Sequence, residues 1–352
     1  MYGTVAGKPP VLRDVAKIAG TSVATASRAL SGGDKVAEDT AHRVRKAARQ
    51  IGFVLNHRKS AAARSRSTPP GLRHGMVALG YHSSAADSGA SFQRAAMLDG
   101  IAAAARDAGV TLTFCRVTQE DLTGGALPAG LSGGRVDGAL VHPARGMGLA
   151  AFRNVGPVVL FGCRPRRVSA FPSVESDSAA GVDALLGHLC GLGHRRLAFL
   201  SRHLDPPSQH IPYVERRDAF LLSAAERGCR AEVEALPPEG EREFAARFRS
   251  RPLAERPTAL VASCDGVASR LLAALQGQGV SVPAEVSVTG FDGHPVGEDV
   301  HPRLTTWHVL WHDVGRMAFE LLLRRIRKES APHRVLAGGE LRVRASCGPP
   351  PG

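Results

Sequence analysis

Two short apolar patterns meet within Leu12–Leu30, and this stretch constrains the fold of the 352-residue chain most. Apolar side chains recur at helical spacing over Leu12–Ala19 and again over Val23–Leu30. Between them, Gly20 suits the left-handed conformation that ends a helix, and Ser22 is a good N-cap for the next one. Two short helices joined by a turn with glycine make a helix-turn-helix. The spacing alone also fits a generic helical hairpin at the start of an ordinary domain.

Positive charge is concentrated at the same end of the chain. The formal net charge is +13, and residues 1–73 carry +10 of it, from 14 Lys and Arg against 4 Asp and Glu. Such a segment has the electrostatic pattern of a module that binds a polyanion. A third helix is predicted over Glu38–Gln50, because acidic residues in its first turn and basic residues towards its end suit the helix dipole. A basic tail without a partner is the alternative, and the helical pattern argues against it.

The chain lacks the sequence signals of a membrane, secreted, metal-binding or catalytic protein. It has no run of about 18 apolar residues, which a transmembrane helix needs, and no apolar core of a signal peptide. The 6 cysteines and 14 histidines are scattered without zinc-site spacing. No G-x-S-x-G, no P-loop and no G-x-G-x-x-G after a strand is present. We therefore expect a cytoplasmic protein that is not an enzyme and has no metal or cofactor.

From residue 74 onward, short apolar runs alternate with longer helical patterns. Strands are predicted at 76–81, 111–115, 136–142, 158–162, 196–201, 259–263, 286–291 and 334–343. Helices are predicted at 92–108, 178–191, 215–227, 267–278 and 314–328. This alternation predicts parallel sheets covered by helices on both faces, and the length of the region favours two α/β lobes.

A series of short motifs runs along the whole chain. The helix-turn-helix stretch reads D-V-A-K-I-A-G-T-S-V-A-T-A-S-R-A-L and is followed by Val36–Thr40 and Ile51–Phe53. Later come V-D-G-A-L at 136–140, L-G-H-R-R-L-A-F at 192–199, R-P-T-A-L at 256–260, V-P-A-E-V-S-V-T-G-F-D at 282–292 and P-R-L-T-T at 302–306. Together these motifs closely resemble the LacI/GalR family of bacterial transcription regulators, from residue 11 to about 346. The resemblance implies a periplasmic-binding-protein-like core with two Rossmann-like lobes, three crossovers, a ligand cleft and a homodimer.

The expected fold is therefore α plus α/β, in four parts. A flexible tail precedes a helix-turn-helix headpiece, and a hinge joins the headpiece to a two-lobed effector-binding and dimerisation core. The predicted ranges are 1–10 for the tail, 11–56 for the headpiece, 57–72 for the hinge and 73–348 for the core. Within the core, the N-lobe takes about 73–173 and 307–332, and the C-lobe takes about 174–306 and 333–348.

The resemblance assigns DNA contacts to the second helix, the recognition helix, and to the residues after it. The family's specificity pair falls on Val23 and Ala24, which can touch thymine methyl groups but cannot hydrogen-bond to base edges. Arg28 can reach guanine or a phosphate. The other predicted DNA-binding residues are Thr25, Ser27, Ser31, Lys35, Asn56, Arg58 and Ala62, with Arg43 and Lys59 as further candidates for the DNA backbone.

Two positions depart from the family pattern. The leucine that the family inserts into the minor groove is Ala62 in the simplest register, and a minor-groove wedge needs bulk to unstack bases. The hinge therefore departs here from the family's minor-groove wedge. The threonine that caps the first helix is Val11, which costs about 1 kcal/mol of helix stability.

For the effector, the resemblance points to the carboxyl ends of the strands in the core. Arg216 and Asp292 match effector-binding positions, and Cys264 replaces the asparagine of an Asn-Asp pair. The predicted effector-binding residues are Tyr81, Phe92, His142, Arg216, Cys264, Asp265 and Asp292. Such a set suits a sugar, a sugar derivative or a nucleobase-like ligand. A structural ion pair or helix cap is the alternative for each of them.

The sequence thus predicts a sequence-specific transcription regulator, most consistent with a repressor, that a small molecule bound between two lobes controls. Its expected partners are a pseudo-palindromic operator in double-stranded DNA, the effector and a second copy of the chain. Two alternatives stay open. One is a constitutive regulator with a degenerate pocket, and the other is a solute-binding protein with the same two-lobed core.

Overall fold

The computed structural model describes residues 11–30, 36–51, 69, 71–82, 91–118, 120–121, 127–132, 134–143, 149–164, 170–205 and 210–352. The chain divides into two compact units, Met1–Ser67 and Thr68–Gly352. We call the first unit the headpiece and the second the core. The predicted tail and most of the predicted hinge lie outside the described residues.

The headpiece contains the three predicted helices, α1 (Leu12–Ile18), α2 (Val23–Leu30) and α3 (Glu38–Gln50). Each helix packs against the other two. The buried side chains between them are small: Val15, Ala16, Ala19, Ala26, Ala29, Ala41, Val44, Ala47 and Ala48. Because so little apolar area is available, the exact ends of these helices matter for the stability of the unit.

The turn between α1 and α2 has the predicted chemistry. Gly20 lies at φ +61°, and the N–H of Thr21 donates to the carbonyl of Ala16 at 3.0 Å, which closes α1. The Ser22 hydroxyl accepts from the N–H of Thr25 at 3.0 Å and so caps α2. The helix-turn-helix prediction is confirmed.

The core is built on two six-stranded sheets. In the first, β2 (Thr111–Val117), β1 (Met76–His82), β3 (Gly138–His142), β4 (Val158–Gly162), β5 (Ser173–Ser176) and β11 (Arg334–Ala337) lie side by side and parallel. In the second, the order is β7 (Arg230–Ala235), β6 (Arg196–Ser201), β8 (Ala259–Ala262), β9 (Ser287–Asp292), β10 (Thr305–Val309) and β12 (Gly339–Arg342). Only β12 of this second sheet is antiparallel to its neighbour.

Helices cover these sheets. They are α4 (Ser91–Asp107), α5 (Ala129–Ser132), α6 (Ser178–Gly191), α7 (Ile211–Glu226), α8 (Glu241–Ser250), α9 (Asp265–Gly277), α10 (Val296–Asp299) and α11 (Trp311–Ile326). Within the described ranges, two short 3₁₀ turns lie at Ala150–Asn154 and Leu253–Glu255. The predicted two-lobed α/β core is confirmed, with one sheet in each lobe.

The chain crosses between the lobes three times, after β5, after β10 and after β11, as the resemblance implied. The single strand predicted over 334–343 is wrong, because β11 and β12 belong to different sheets with Gly338 alone between them. The predicted lobe boundaries shift accordingly. β5 and β11 lie wholly in the N-lobe, and β10 lies wholly in the C-lobe. A single glycine connects the two sheets, so the sequence has no polar loop that would mark the boundary between β11 and β12.

Burial explains which strands were predicted. β4 and β8 are buried at nearly every position and read as continuous apolar runs. β7 is an edge strand with half-exposed, charged positions, and the sequence pattern missed it. The pattern also missed β5, β10 and α8.

Two glycines fix the main helix contact of the N-lobe. α4 and α11 cross so closely that a Cβ at Gly100 would lie 1.9 Å from the carbonyl oxygen of His312. A Cβ at Gly315 would lie 1.9 Å from the carbonyl oxygen of Met97. Since α4 and α11 each begin beside the cleft described below, this contact places their first turns.

Candidate DNA interface and ligand cleft

The recognition helix α2 presents the predicted residues on its outer face. Val23, Ala24 and Arg28 are exposed, whereas Ala26 and Ala29 are buried against the other two helices. The outward end of α2 therefore offers a methyl-rich surface next to one guanidinium. This arrangement allows thymine methyl contacts and one strong hydrogen-bonding group.

The structure describes some of the other predicted DNA-contacting residues and not the rest. Thr25 and Ser27 are half-buried, and the Thr25 hydroxyl lies 2.8 Å from that of Ser22. Arg43 is exposed on α3 and lies 3.9 Å from Asp39. The predicted residues Ser31, Lys35, Asn56, Arg58, Lys59 and Ala62 lie outside the described residues.

The core holds a cleft of about 460 Å³ between its two sheets. In the N-lobe it is lined by α4, the start of α11 and the carboxyl ends of β3 and β4. In the C-lobe it is lined by α7, α9 and the carboxyl ends of β6 and β9. Its size suits a small molecule, and strand ends are where α/β sheets bind ligands.

Arg216 and Asp292, which match effector-binding positions of the resembled family, meet in this cleft. The Arg216 guanidinium donates to the Asp292 carboxylate at 2.8 Å and to the carbonyl of Ser263 at 2.6 Å. It also lies 3.7 Å from the centre of the Phe291 ring. Both members of the pair are buried, at 2% and 5% exposure. The nitrogen Nε of Arg216 has no hydrogen-bond partner among the described residues.

Asp292 connects the two lobes. Its carboxylate accepts from Gln93 of α4 at 3.4 Å, and its carbonyl accepts from the Trp311 indole at 2.9 Å. Both partners are at the first turns of N-lobe helices. Burial raises the pKa of Asp292, and the charge and hydrogen bond of Arg216 oppose that rise. A ligand that contacts this carboxylate therefore touches a group already shared by both lobes.

Asp265, a predicted effector-binding residue, is not part of the described lining of the cleft. Its side chain is fully buried, and its two oxygens accept from the Thr306 hydroxyl and from the N–H of His294, each at 2.6 Å. A Cβ at Gly290 would lie 2.1 Å from the Asp265 carboxylate, so this residue fills the space that the glycine leaves. Burial and the nearby Asp292 raise the pKa of Asp265 to about 8. Its role is to hold β9, β10 and α9 together beneath the cleft.

Cys264, at the position of the family's asparagine, lines the cleft beside Tyr213. Burial, together with the nearby carboxylate of Asp292, raises the pKa of this thiol. Burial also raises the pKa of Tyr213 well above its usual value. Both groups are therefore neutral at physiological pH, and they offer weak or neutral hydrogen bonds rather than charge.

The remaining predictions fall at the N-lobe side. His142 lines the cleft and packs edge-on against Phe161, with ring centres 5.4 Å apart. Phe92 is not part of the described lining of the cleft. Its ring packs against that of His294, a lining residue, with ring centres 5.4 Å apart. The side chain of Tyr81 lies outside the described residues.

Sequence reasoning missed a second charged group in the wall. Arg202 and Arg270 both line the cleft, and both donate to Glu241, the first residue of α8, at 2.6 and 3.0 Å. Arg202 directly follows β6, so the rule that strand ends carry ligand contacts could have found it. His294, two residues beyond β9, had the same signal. Glu241 gave no signal, because its partners are 39 and 29 residues away in the sequence.

A further ion network spans the two lobes near the cleft. Glu215 of α7 accepts from Arg164 at 3.1 Å and from Arg334 of β11 at 3.2 Å. Both arginines also lie near Glu175 of β5, at 3.2 and 3.3 Å. Burial and the charge of Glu175 raise the pKa of Glu215. Across the described ranges, no cluster of three His, Cys, Asp or Glu could hold a metal ion, and no helix is long and apolar enough to span a membrane.

Comparison with known families assigns both units. Residues 11–56 match the model of bacterial regulatory proteins of the lacI family, and residues 186–347 match the periplasmic binding protein-like domain. The first range coincides with the headpiece predicted from the sequence.

Full-length relatives match across nearly the whole chain. The HTH-type transcriptional repressor PurR of Vibrio atlanticus (strain LGP32) is 30% identical in an alignment of 340 positions, gaps included, that covers 92% of this chain and 94% of the relative. The HTH-type transcriptional regulator GntR of Pseudomonas aeruginosa PAO1 is 29% identical in an alignment of 364 positions, gaps included, that covers 96% of this chain and 95% of the relative. Both are regulators of transcription, so the chain is a regulator rather than an enzyme.

Solved structures agree in fold. The transcriptional regulator CelR in complex with cellobiose has a TM-score of 0.64 at 25% identity, covering 96% of this chain and 99% of that one. The Lac repressor dimer bound to operator and the anti-inducer ONPF has a TM-score of 0.66 at 20% identity, with the same coverage, and shows the fold. A lacI-type headpiece, a two-lobed core with a cleft at its strand ends, and relatives matched from end to end lead to one assignment: the chain belongs to the LacI family of bacterial regulatory proteins.

Proposed function

We propose that this protein is a transcriptional repressor whose affinity for an operator is set by a small polar effector bound in the cleft of the core. The observation that carries the proposal is the buried Arg216–Asp292 pair, since Asp292 is bonded to Gln93 and Trp311 of the opposite lobe. An effector that replaces or reinforces these bonds changes how firmly the two lobes are joined.

DNA is bound by the headpiece in two copies of the chain. A homodimer would place two α2 helices in successive major grooves of a pseudo-palindromic operator. Basic side chains of the headpiece supply affinity through phosphates, and this term weakens with salt. Arg28 and the methyl groups of Val23 and Ala24 supply the sequence preference. The protein would accordingly work at the nucleoid, in the cytoplasm.

The switch is a difference in effector affinity between two arrangements of the lobes. The effector shifts the equilibrium only by the ratio of its affinities for the DNA-competent and DNA-incompetent states. A tenfold change in operator affinity requires about 1.4 kcal/mol of such a difference. One charge-assisted hydrogen bond made in one arrangement and not in the other is of that size.

The effector is a sugar, a sugar derivative or a nucleobase-like molecule. Support comes from the mixture of groups in the cleft. The guanidinium of Arg216 donates, the carboxylate of Asp292 accepts, and the amide of Gln93 does both. Met97 and Trp311 add an apolar surface on the N-lobe side. One structural neighbour is a transcriptional regulator in complex with cellobiose, which supports the sugar class.

The constitutive alternative makes a different prediction for the same cleft. A regulator with a degenerate pocket would keep its DNA affinity whatever small molecule is added. The buried Arg216–Asp292 pair lines the cleft and favours a working pocket. Burying an ion pair carries a desolvation penalty, and a role in ligand binding accounts for keeping the pair despite that penalty. The solute-binding alternative does not account for the lacI-type headpiece.

A two-step experiment tests the proposal. Thermal unfolding of the full-length protein would be recorded with sugars, sugar acids, sugar phosphates, nucleosides and nucleobases, and each compound that raises the midpoint would be added to an operator-binding titration. We expect at least one compound to raise the midpoint and to change operator affinity in the wild type but not in Asp292→Asn. Asp218→Asn, an exposed carboxylate on α7, is the control that should respond like the wild type. Operator affinity that no compound changes would support the constitutive alternative instead.

A further inference from the structure

The cleft wall of the C-lobe contains two arginines held by one carboxylate. Glu241 is 3% exposed, and its two oxygens accept separately from Arg202 and from Arg270. The side chains of Arg202 and Arg270 are 20% and 49% exposed, and both line the cleft. The buried carboxylate thus fixes two guanidinium groups that remain open to the cleft.

The charges of this group do not cancel. Glu241 is ionised: burial raises its pKa, but the hydrogen bonds from Arg202 and Arg270 outweigh that effect and lower it. Two guanidinium groups against one carboxylate leave one positive charge at the wall. Arg216 and Asp292, a further ion pair in the described lining of the cleft, carry one positive and one negative charge, which balance.

Hydrogen-bonding capacity remains on both arginines. Glu241 takes the NH2 nitrogen of Arg202 and the Nε nitrogen of Arg270. The buried Nε of Arg202 has no partner among the described residues. A guanidinium offers five N–H donors in a fork that matches the two oxygens of a carboxylate or phosphate. Excess charge and unused donors are therefore found on the same two side chains.

We propose that Arg202 and Arg270, oriented by Glu241, form a subsite for an anionic group of the effector, either a carboxylate or a phosphate. This inference rests on the proposed function and narrows it. The Arg216–Asp292 pair takes hydroxyl or amine groups of the effector, and Arg202 and Arg270 take its anionic group. The effector is then a sugar acid or a sugar phosphate rather than a neutral sugar or a free nucleobase.

The alternative is that Glu241, Arg202 and Arg270 have only a structural role. Glu241 begins α8, and Arg202 and Arg270 come from β6 and α9, so the ion pairs also brace these elements. Bracing alone requires neither exposure to the cleft nor an unused donor. A structural role also predicts no preference for charged over neutral ligands. Ligand preference is therefore the measurement that distinguishes the two roles.

Calorimetric titration of the full-length protein tests the subsite. The probes are D-gluconate for the carboxylate, D-glucose 6-phosphate for the phosphate, D-glucose as the neutral congener and inorganic phosphate for the anion alone. The variants are Arg270→Gln, chosen because this side chain is half exposed, and Arg247→Gln as the matched control. Arg247 pairs with Glu243 and Glu234 on the outer side of α8 and does not line the described cleft.

We expect at least one sugar anion to bind at least 10-fold more tightly than D-glucose. In Arg270→Gln this anion should bind about 10- to 100-fold more weakly, as loss of a hydrogen bond to a charged group implies, while Arg247→Gln binds it like the wild type. Tighter binding of gluconate or of glucose 6-phosphate identifies the source of the anion.

Equal affinity for D-glucose and both anions, or no effect of Arg270→Gln, would overturn the subsite. So would a lack of binding by all three anionic probes. The proposed function fails separately: it falls if no small molecule changes operator affinity, and it stands if a neutral ligand releases or promotes DNA binding while the anions do nothing.

Discussion

The carboxylate of Asp292 lies 2.8 Å from the guanidinium of Arg216, and both side chains are buried at the cleft. Replacing one member of the pair by a neutral residue leaves the other as a buried charge without a partner. The resulting loss of stability is larger than the stability that the intact pair contributes. We predict that Arg216→Ala lowers the free energy of unfolding by about 3–5 kcal/mol, measured by urea denaturation.

The neighbouring residue provides the control for that change. Arg217 pairs with Asp218 on the outside of the same helix, where solvent screens the interaction. Arg217→Ala should cost less than about 1 kcal/mol. If both variants lose the same amount, the buried pair has no special weight in the stability of the core.

The stability of the core should depend on pH through Asp265. Its pKa is about 8 in the folded protein, against an ordinary value of 3.8. Between these values the unfolded chain ionises this carboxyl and the folded chain does not, so unfolding releases a proton and the free energy of unfolding falls as the pH rises. The slope from this group is at most about 1.4 kcal/mol per pH unit.

Asp265→Asn should flatten that dependence. The amide resembles the protonated carboxyl, because its oxygen can accept from the N–H of His294 while its nitrogen donates to the hydroxyl of Thr306. Urea denaturation from pH 5 to pH 8 would compare it with Asp183→Asn. The pKa of Asp183 is lowered by hydrogen bonds from Arg227 and Ser223, so its substitution leaves the slope in this window unchanged. A slope in Asp265→Asn equal to that of the wild type would refute the assignment.

The close crossing of α4 and α11 gives a third prediction. Gly315→Ala places a methyl group 1.9 Å from the backbone of Met97, where no side-chain movement relieves the clash. The helices must separate, and we expect a loss of about 1–3 kcal/mol in the free energy of unfolding together with weaker effector binding, because Trp311 and Gln93 move with them. Gly187→Ala on α6 is the matched control, since its Cβ has 3.9 Å of space. It should stabilise the protein by about 0.5–1 kcal/mol.

The N-terminal cap of α1 is incomplete. The Asp14 carboxylate accepts from the N–H of Val11 at 2.8 Å, which is one half of a capping box. The other half is missing, because the side chain of Val11 has no acceptor for a backbone N–H of α1. Val11→Thr supplies the missing acceptor and should stabilise α1 by about 1 kcal/mol, seen as slower hydrogen exchange of the α1 amides. Val11→Ala, which adds no acceptor, should not show this protection. Equal exchange in both variants would mean that the cap does not limit α1.

The sequence predicted most of what depends on neighbours along the chain. The turn at Gly20 and Ser22 and the helix Glu38–Gln50 follow from local spacing and capping, and the structure has them at those residues. The buried central strands follow from their apolar runs. The crossing at Gly338 could not be predicted, because a single residue separates two strands whose sheets are set only by tertiary packing.

The cleft was predictable only in part, for the same reason. Arg216 and Asp292 were found because each matches an effector-binding position of the resembled family. Asp265 matches such a position as well, yet its oxygens are used by Thr306 and His294, which are 41 and 29 residues away. Whether a carboxylate at a motif position faces a ligand or the interior depends on such distant partners. The Glu241 group was invisible to motif reading for that reason as well.

The most direct test of the account concerns the recognition helix. Fluorescence anisotropy would measure binding of the full-length protein to DNA from upstream of its own operon and to the same DNA with its sequence shuffled, for the wild type, Arg28→Ala and Arg230→Ala, an exposed arginine of the core. We predict that the wild type prefers the native DNA by at least about 1,000-fold and that Arg28→Ala weakens this binding by about 1–3 kcal/mol, while Arg230→Ala leaves it unchanged. Equal affinity for native and shuffled DNA, with no loss in Arg28→Ala, would contradict the central claim that α2 reads an operator.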